Sequence, residues 1–373
     1  MMKYRQGLSV LLALLCLGAE DADQSAREQI HDRQRAEIES FLLRDSGQAQ
    51  VPQTPMAIEL YNDAVGYYKK RDFEMAKMAL AEAMGYDPRN PLVPQLLGEI
   101  YYAEYDLKKA KEYFTKSYLL RPDPEVRERI EKINREAPLE TNFQTKTTEK
   151  FILKYQGEAE LAGEAIQEKL EKTYAILSAD FGHAFRQPVV VVLYDREAFS
   201  KIMDVPHWIG GFYDGKVRIP AYQAGMAEKD LNRIMIHEMT HAFVAEMAGR
   251  RAPAWINEGL AEYQEDQWGA QDRVVLQAAL KTGSLLPLDQ LMLESKLASE
   301  QDPLYASLFY DQSYSLVRYI VKQKGMFTVK EMLQAFAKDK NSDEVIQEIL
   351  KMTVSQLEQE WKQSLLEPSQ SPK

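Results

Sequence analysis

Residues 237–241 read HEMTH, so that two histidines, His237 and His241, stand four positions apart with Glu238 beside the first. On a helix, residues four apart lie one turn apart on the same face, and both imidazoles can reach one tetrahedral metal ion. The glutamate that follows the first histidine can contact a water molecule on that metal without binding the metal itself. The motif therefore predicts a zinc helix in which Glu238 is the general base.

The helix that carries this motif is expected to begin at Asp230, a good N-cap residue, and to end near Gly249. Its other residues are apolar almost all round, and a helix of that kind is buried in its domain. Buried histidine and glutamate side chains need polar partners, and a metal ion supplies one.

A third protein ligand is expected, because catalytic zinc usually takes three and leaves one position for water. The segment 255–263 reads WINEGLAEY and contains two carboxylates one helical turn apart, Glu258 and Glu262. One could bind the metal while the other orients a ligating histidine through the free N–H of its ring. The residues alone leave both assignments open.

HEMTH followed by WINEGLAE resembles the gluzincin zinc metallopeptidases, most closely the bacterial peptidase MA-like group. The resemblance covers about 147–325 and includes FYDG at 212–215 and YDQSY at 310–314. It implies a thermolysin-like domain with one Zn²⁺ per chain, bound by His237, His241 and Glu258. Glu262 would then orient a histidine, and an exchange of roles between Glu258 and Glu262 is the main alternative. The 16 residues between His241 and Glu258 are fewer than in the aminopeptidases of the family.

The resemblance also implies a mechanism, in which a zinc-activated water hydrolyses a peptide bond. It points to a tyrosine on the helix after the zinc site as the oxyanion donor, with Tyr310 the first candidate and Tyr314 the second. Gluzincins align peptide substrates along an edge strand, which implies substrate contacts at Gly211, Val217 and Ile219. A hairpin that serves only the fold is the competing interpretation of that segment. No G-x-M-E-N run precedes the zinc helix, which favours an endopeptidase.

An internal repeat with a period of 34 residues occupies 57–124. Residues that recur at the same offsets are small or apolar in both copies, and a proline follows the second helix of each. They are Ala64, Tyr67, Ala76, Leu80, Ala83 and Pro88, and then Gly98, Tyr101, Ala110, Phe114, Ser117 and Pro122. The pattern resembles the tetratricopeptide repeat, although the early aromatic of that repeat is absent. Two repeats and a capping helix at about 125–135 predict an all-helical domain over 53–136 that docks a protein partner or substrate.

The remaining segments predict an α+β fold with a small mixed sheet in the peptidase domain, 149–366. Residues 137–148 lack helical periodicity and are expected to be a linker. Strands are expected at 151–155, 188–194 and 216–220, the last an edge strand that ends in proline. A helix is expected over 159–181, and helices follow from Asp230 to about Leu366. Residues 367–373 are a polar tail.

The amino terminus resembles an export signal over 1–19, because Lys3 and Arg5 precede an apolar run at 8–17. A periplasmic or extracellular location is therefore expected. Cys16 is the only cysteine, and lipidation there is a weaker alternative because Leu15 is large for the residue before a lipidated cysteine. Residues 20–52 are polar and are expected to form a helical or linker segment.

Composition narrows the class of partner. The 373 residues carry a net charge of −11, which disfavours nucleic acid and anionic lipid. No segment after residue 19 is apolar for long enough to cross a membrane. Two other functions remain open: a noncatalytic binding scaffold with structural zinc, and a zinc hydrolase that acts on cell-wall peptides.

Overall fold

A computed structural model describes residues 54–141, 143–156, 160–194, 199, 211–220, 228–249, 251–267, 273–293 and 302–366. The expected export signal, the polar segment at 20–52 and the tail at 367–373 lie outside these residues. The described chain begins with five helices. They are α1 (Pro55–Lys69), α2 (Phe73–Tyr86), α3 (Leu92–Ala103), α4 (Leu107–Leu120) and α5 (Pro124–Glu140).

The 34-residue repeat corresponds to two helix pairs, α1 with α2 and α3 with α4. Both turns use the same local structure: Arg71 and Tyr105 have left-handed φ angles of 57° and 65°. The next residue caps the second helix in each pair, and the side chains of Asp72 and Asp106 accept from backbone N–H groups three residues on. Gly98 allows close packing within the second pair, since a Cβ there would lie 2.8 Å from the Phe114 ring.

The segment expected to be an irregular linker, 137–148, is almost entirely regular in the structure, so that prediction was wrong. Helix α5 continues to Glu140, with Pro138 inside its last turn, and strand β1 occupies Phe143–Thr147. Helical periodicity is hard to detect here because α5 is polar on its exposed side. The buried residues of its carboxyl-terminal half include two glutamates, Glu136 and Glu140.

A five-stranded mixed sheet follows the helices. Its other strands are β2 (Phe151–Gln156), β3 (Val189–Tyr194), β4 (Phe212–Tyr213) and β5 (Val217–Pro220). The order is β1-β2-β3-β5-β4, with β2, β3 and β5 parallel and β1 and β4 antiparallel to their neighbours. The strands expected at 151–155, 188–194 and 216–220 are confirmed to within one residue at each end.

The position of β5 in the sheet contradicts the expected edge strand. Its backbone pairs with β3 on one side and β4 on the other, so β5 cannot accept a substrate strand. Val217 and Ile219 are fully buried in the core beneath the sheet. The substrate-binding role expected of these two residues is therefore wrong, and β4 is the strand at that edge. The other face of β5, which carries Arg218, is covered by helices of the repeat.

Both faces of the sheet are covered. Alternate residues of β3, among them Val191, pack into the main core with the helices that follow. The residues between them, including Val192 and Tyr194, pack on the other side with Tyr105 from the turn between α3 and α4. The repeat helices thus lie directly against the sheet.

The rest of the described chain is helical, as expected, apart from the strands of the sheet. Helix α6 spans Glu160–Phe181 and is followed by Gly182 with a left-handed φ of 54°. The later helices are α7 (Glu228–Ala248), α8 (Ala254–Asp266), α9 (Val274–Thr282), α10 (Leu288–Leu293), α11 (Pro303–Lys324), α12 (Met326–Phe336), α13 (Ser342–Val345, continued as a π-helical turn over Ile346–Leu350) and α14 (Val354–Leu366). Asp230 lies inside α7 and is not its N-cap. Among the described helices, none is long and apolar enough to cross a bilayer.

Candidate metal centre

Two helices bring the predicted ligands together. His237 and His241 lie one turn apart on α7, with ring centroids 4.9 Å apart, and Glu258 lies in the first half of α8. Oε2 of Glu258 is 3.7 Å from Nε2 of His237 and 3.4 Å from Nε2 of His241. The Glu258 side chain is 1% exposed and that of His241 is 3% exposed. Two imidazoles and a carboxylate therefore converge in a buried site.

These separations suit a tetrahedral zinc ion. With bonds of about 2.0–2.1 Å, neighbouring donor atoms in a tetrahedron are about 3.3–3.4 Å apart. The distances from Glu258 to the two histidines are close to that value, and all three donor atoms lie within 4.8 Å of one another. Two imidazole nitrogens and one carboxylate oxygen are also a ligand set that zinc accepts. The three residues can hold the metal with small adjustments.

The outer ring nitrogens of both histidines are held by hydrogen bonds. Nδ1 of His237 donates to Oε2 of Glu265 at 2.9 Å, since a carboxylate can only accept. Nδ1 of His241 donates to Oδ1 of Asn257 at 3.1 Å. A proton on Nδ1 leaves the Nε2 lone pair free, and such bonds hold ligating histidines in place in metal sites. Nε2 of His241 is buried without a hydrogen-bond partner among the described residues, as a metal ligand would be in the absence of its ion.

Glu262 was expected to orient a ligating histidine, and the structure corrects this expectation for His237. The ring of His237 donates its hydrogen bond to Glu265, and Arg233 donates to the other oxygen of that carboxylate. Glu262 instead pairs with Arg273 at 2.5 Å. Helices α7 and α8 run antiparallel across the site, so His237 faces residues near the carboxyl end of α8. Glu265 is seven residues after Glu258, two helical turns along nearly the same face, and it accepts the hydrogen bond of His237. Glu262 also lies within 4.8 Å of His237.

The side chain of Glu238, on α7, lies against Gly211, the residue before β4. A Cβ on Gly211 would lie 2.6 Å from Cγ of Glu238 and 2.7 Å from its Oε1. Only glycine allows the backbone this close to the carboxylate. Glu238 is 5% exposed and is therefore a buried residue. The substrate contact expected at Gly211 stays a prediction, and the structure adds that the backbone of Gly211 lies against the Glu238 side chain.

The charges around the histidines favour a bound cation. Burial lowers the pKa of His237, but the hydrogen-bonding carboxylates of Glu258 and Glu265 outweigh burial and raise that pKa well above its usual value. Glu238 and Glu262 act in the same direction. The same negative field that would hold a proton on the ring would attract a divalent metal ion to it.

The predicted oxyanion donors lie on α11, which packs closely on α8. A Cβ at Gly259, next to Glu258, would lie 2.5 Å from the backbone oxygen of Ser313. Tyr310 is three residues before Ser313, on the same stripe of α11, and its half-buried ring packs against the core. The hydroxyl of Tyr314 donates to Oδ2 of Asp266 at 2.8 Å and is thereby occupied.

Sequence reasoning missed two of the groups that hold the histidines, Asn257 and Glu265. A signal for Glu265 was present in its spacing, since residues seven apart share a helix face as residues four apart do. Asn257 directly precedes the predicted ligand, and nothing in its position distinguishes it from a packing residue.

A family model described as the peptidase MA superfamily matches residues 170–367, which is more than half of the chain. The match includes α7, α8 and α11, the helices that carry the ligands and both candidate tyrosines. No curated protein matches the sequence significantly.

Proposed function

The chain belongs to the peptidase MA superfamily, and from this premise we propose that it is a zinc-dependent endopeptidase that works outside the cytoplasm. The observation that carries the proposal is the convergence of His237, His241 and Glu258 at donor distances that suit zinc, with Glu238 beside them. A structural zinc site has no use for that fourth residue. The export-like amino terminus supports the location.

In this mechanism, zinc bound by the three ligands would lower the pKa of the attacking water toward about 7 and polarise the scissile carbonyl. Glu238 accepts a proton from the water and later delivers it to the leaving amine. Glu265 and Asn257 hold the histidine rings so that both Nε2 atoms point to one place. The outer edge of β4, the last strand of the described sheet, is the place where an extended substrate would add a strand.

Removal of the metal tests the proposal most directly. We expect one zinc ion per chain in the purified protein, and we expect a chelator to reduce hydrolysis of a protein substrate to below about 1%. Zinc added back should restore the activity. A peptide blocked at both ends should be cleaved, as an endopeptidase requires, and a cell-wall peptide serves as the competing substrate. Full activity in the metal-free protein would refute the proposal.

Tyr310 is the proposed oxyanion donor, and its replacement by Phe removes only the hydroxyl. We expect kcat to fall about 10²–10³-fold with little change in KM, the usual effect of losing one such donor. The matched control is Tyr319→Phe on the same helix, whose hydroxyl donates to Glu360 at 2.9 Å on the surface. If Tyr310→Phe keeps kcat within twofold of the wild type while Tyr314→Phe does not, the role belongs to Tyr314.

We further propose that the two helix pairs are tetratricopeptide repeats that dock a protein partner or substrate. The common turn structure at Arg71 and Tyr105, repeated after 34 residues, supports this class of repeat. Exposed methionines on α1 and α2, among them Met78 at 65% exposure, offer an adaptable apolar surface. Docking would make a whole protein a better substrate than the short peptide around its scissile bond. Equal kcat/KM for both would contradict it.

A further inference from the structure

A network of charged groups is buried between the repeat helices and the sheet. Its cations and anions are equal in number, and one side comes from α5 while the other comes from β5 and the turn before it. They are Lys132, Glu136, Glu140, Asp214, Lys216 and Arg218. Glu136, Lys216 and Arg218 are completely buried. The charges of β5 and of the turn before it are therefore balanced by the charges of α5.

Arg218 is at the centre of this network. Its Nη2 donates to Oε1 of Glu136 at 2.9 Å and to the hydroxyl of Tyr102 at 2.8 Å. That hydroxyl in turn donates to Oε1 of Glu136 at 2.7 Å. Nη1 of Arg218 donates to the hydroxyl of Tyr194 on β3. Helices α3 and α5 and strands β3 and β5 thus meet at one guanidinium group.

Lys216 is held by the same helices in a different way. Its Nζ lies 3.5 Å from the ring centroid of Tyr102 and 4.4 Å from that of Tyr105. Oε2 of Glu136 is 3.6 Å away. Burial lowers the pKa of Lys216 to about 8, although Glu136 acts in the opposite direction. The two aromatic rings and the carboxylate enclose the ammonium group.

The network fixes the turn that joins β4 to β5. Asp214 accepts from Nε of Arg218 at 3.1 Å and from Nζ of Lys132 on α5. Three residues before Asp214, the backbone of Gly211 lies against the carboxylate of Glu238. Three residues of strand span about 10 Å. The short β4 segment is therefore anchored to the repeat helices at one end and touches the proposed general base at the other.

Buried ion pairs of this kind add little net stability, because desolvation offsets most of their attraction. Removing one charged group leaves the buried charges around it without a counter-charge, which is strongly destabilising. The charged groups of the network can therefore occupy few other positions. The geometry here specifies where the β4–β5 hairpin lies relative to α3 and α5.

We propose that Tyr102 and Glu136 are positioning residues for the peptidase site: through Arg218 and Asp214 they hold β4 against Glu238 at the place where substrate is bound. The repeat helices are then part of the catalytic unit as well as a docking surface. This inference rests on the proposed peptidase function.

The test uses the full chain with Tyr102→Phe, which removes one hydroxyl, and with Glu136→Gln, which removes one charge. We expect each variant to bind one zinc ion, since no ligand lies on the hairpin. We expect kcat/KM for a peptide that extends several residues on both sides of the scissile bond to fall at least tenfold. Amide hydrogen exchange at Phe212 and Tyr213 should become faster by a similar factor.

The matched control is Glu99→Gln, which breaks an ion pair to Arg129 between α3 and α5 without touching the hairpin. It should change kcat/KM and the exchange at β4 less than twofold, even if the melting temperature falls as much as in Tyr102→Phe. The inference is overturned if Tyr102→Phe and Glu136→Gln behave as this control does. If the wild type cleaves no peptide, the proposed function fails, and faster exchange at β4 still decides whether the helices hold the hairpin.

Discussion

Glu238→Gln should lower kcat about 10²–10⁴-fold while the protein keeps its zinc. The amide has nearly the shape of the carboxylate and fits against Gly211, but it cannot accept a proton from the attacking water. The metal ligands His237, His241 and Glu258 are unchanged, so metal content should remain at one ion per chain. Steady-state kinetics on a protein substrate, together with metal analysis of the same sample, gives both quantities.

Glu128→Gln is the matched control for this substitution. Glu128 is exposed on α5, far along the chain from the site, and the same change of charge there should leave kcat within twofold. Wild-type activity in Glu238→Gln would remove the general base from the mechanism. Another group would then have to accept the proton from the attacking water.

The parts of the site that lie within one helix were accessible from the sequence. His237, Glu238 and His241 needed only the period of an α-helix to be placed together, and the strand at 189–194 needed only its β-branched run. The helix pairs over 55–120 followed from the 34-residue period. In each case the information is local, or repeats at a fixed distance.

The features that sequence reasoning got wrong depend on how separate elements lie against each other. The choice of Glu265 over Glu262 depends on the antiparallel packing of α8 on α7. The assignment of β5 as an edge strand failed because β4, only two residues long, pairs beside it. Glu136 and Arg218 are 82 residues apart, and neither residue type predicts the other. The charged face of β5 and the charged face of α5 each look exposed in the sequence, although in the structure they cover each other.

The metal centre depends on Glu258 as its third ligand, and Glu258→Gln should abolish zinc binding. Oε2 of Glu258 lies 3.7 and 3.4 Å from the two Nε2 atoms, and its side chain is almost completely buried. Without its charge, two histidines alone remain to hold the ion. We expect zinc content to fall below about a tenth of an ion per chain after dialysis, and activity to fall with it.

Glu262→Gln is the contrasting variant, one helical turn away on the same helix. Its carboxylate pairs with Arg273, which also contacts Asp311 at 3.1 Å, so the loss should lower the melting temperature and leave zinc bound. The two variants make the same chemical change and remove the same charge, but only Glu258 lies 3.4–3.7 Å from both Nε2 atoms. Zinc retained in Glu258→Gln and lost in Glu262→Gln would reverse the roles of the two glutamates. Zinc retained in both would mean that the ion is held by a carboxylate other than these two, with Glu265 the nearest remaining candidate because it already contacts His237.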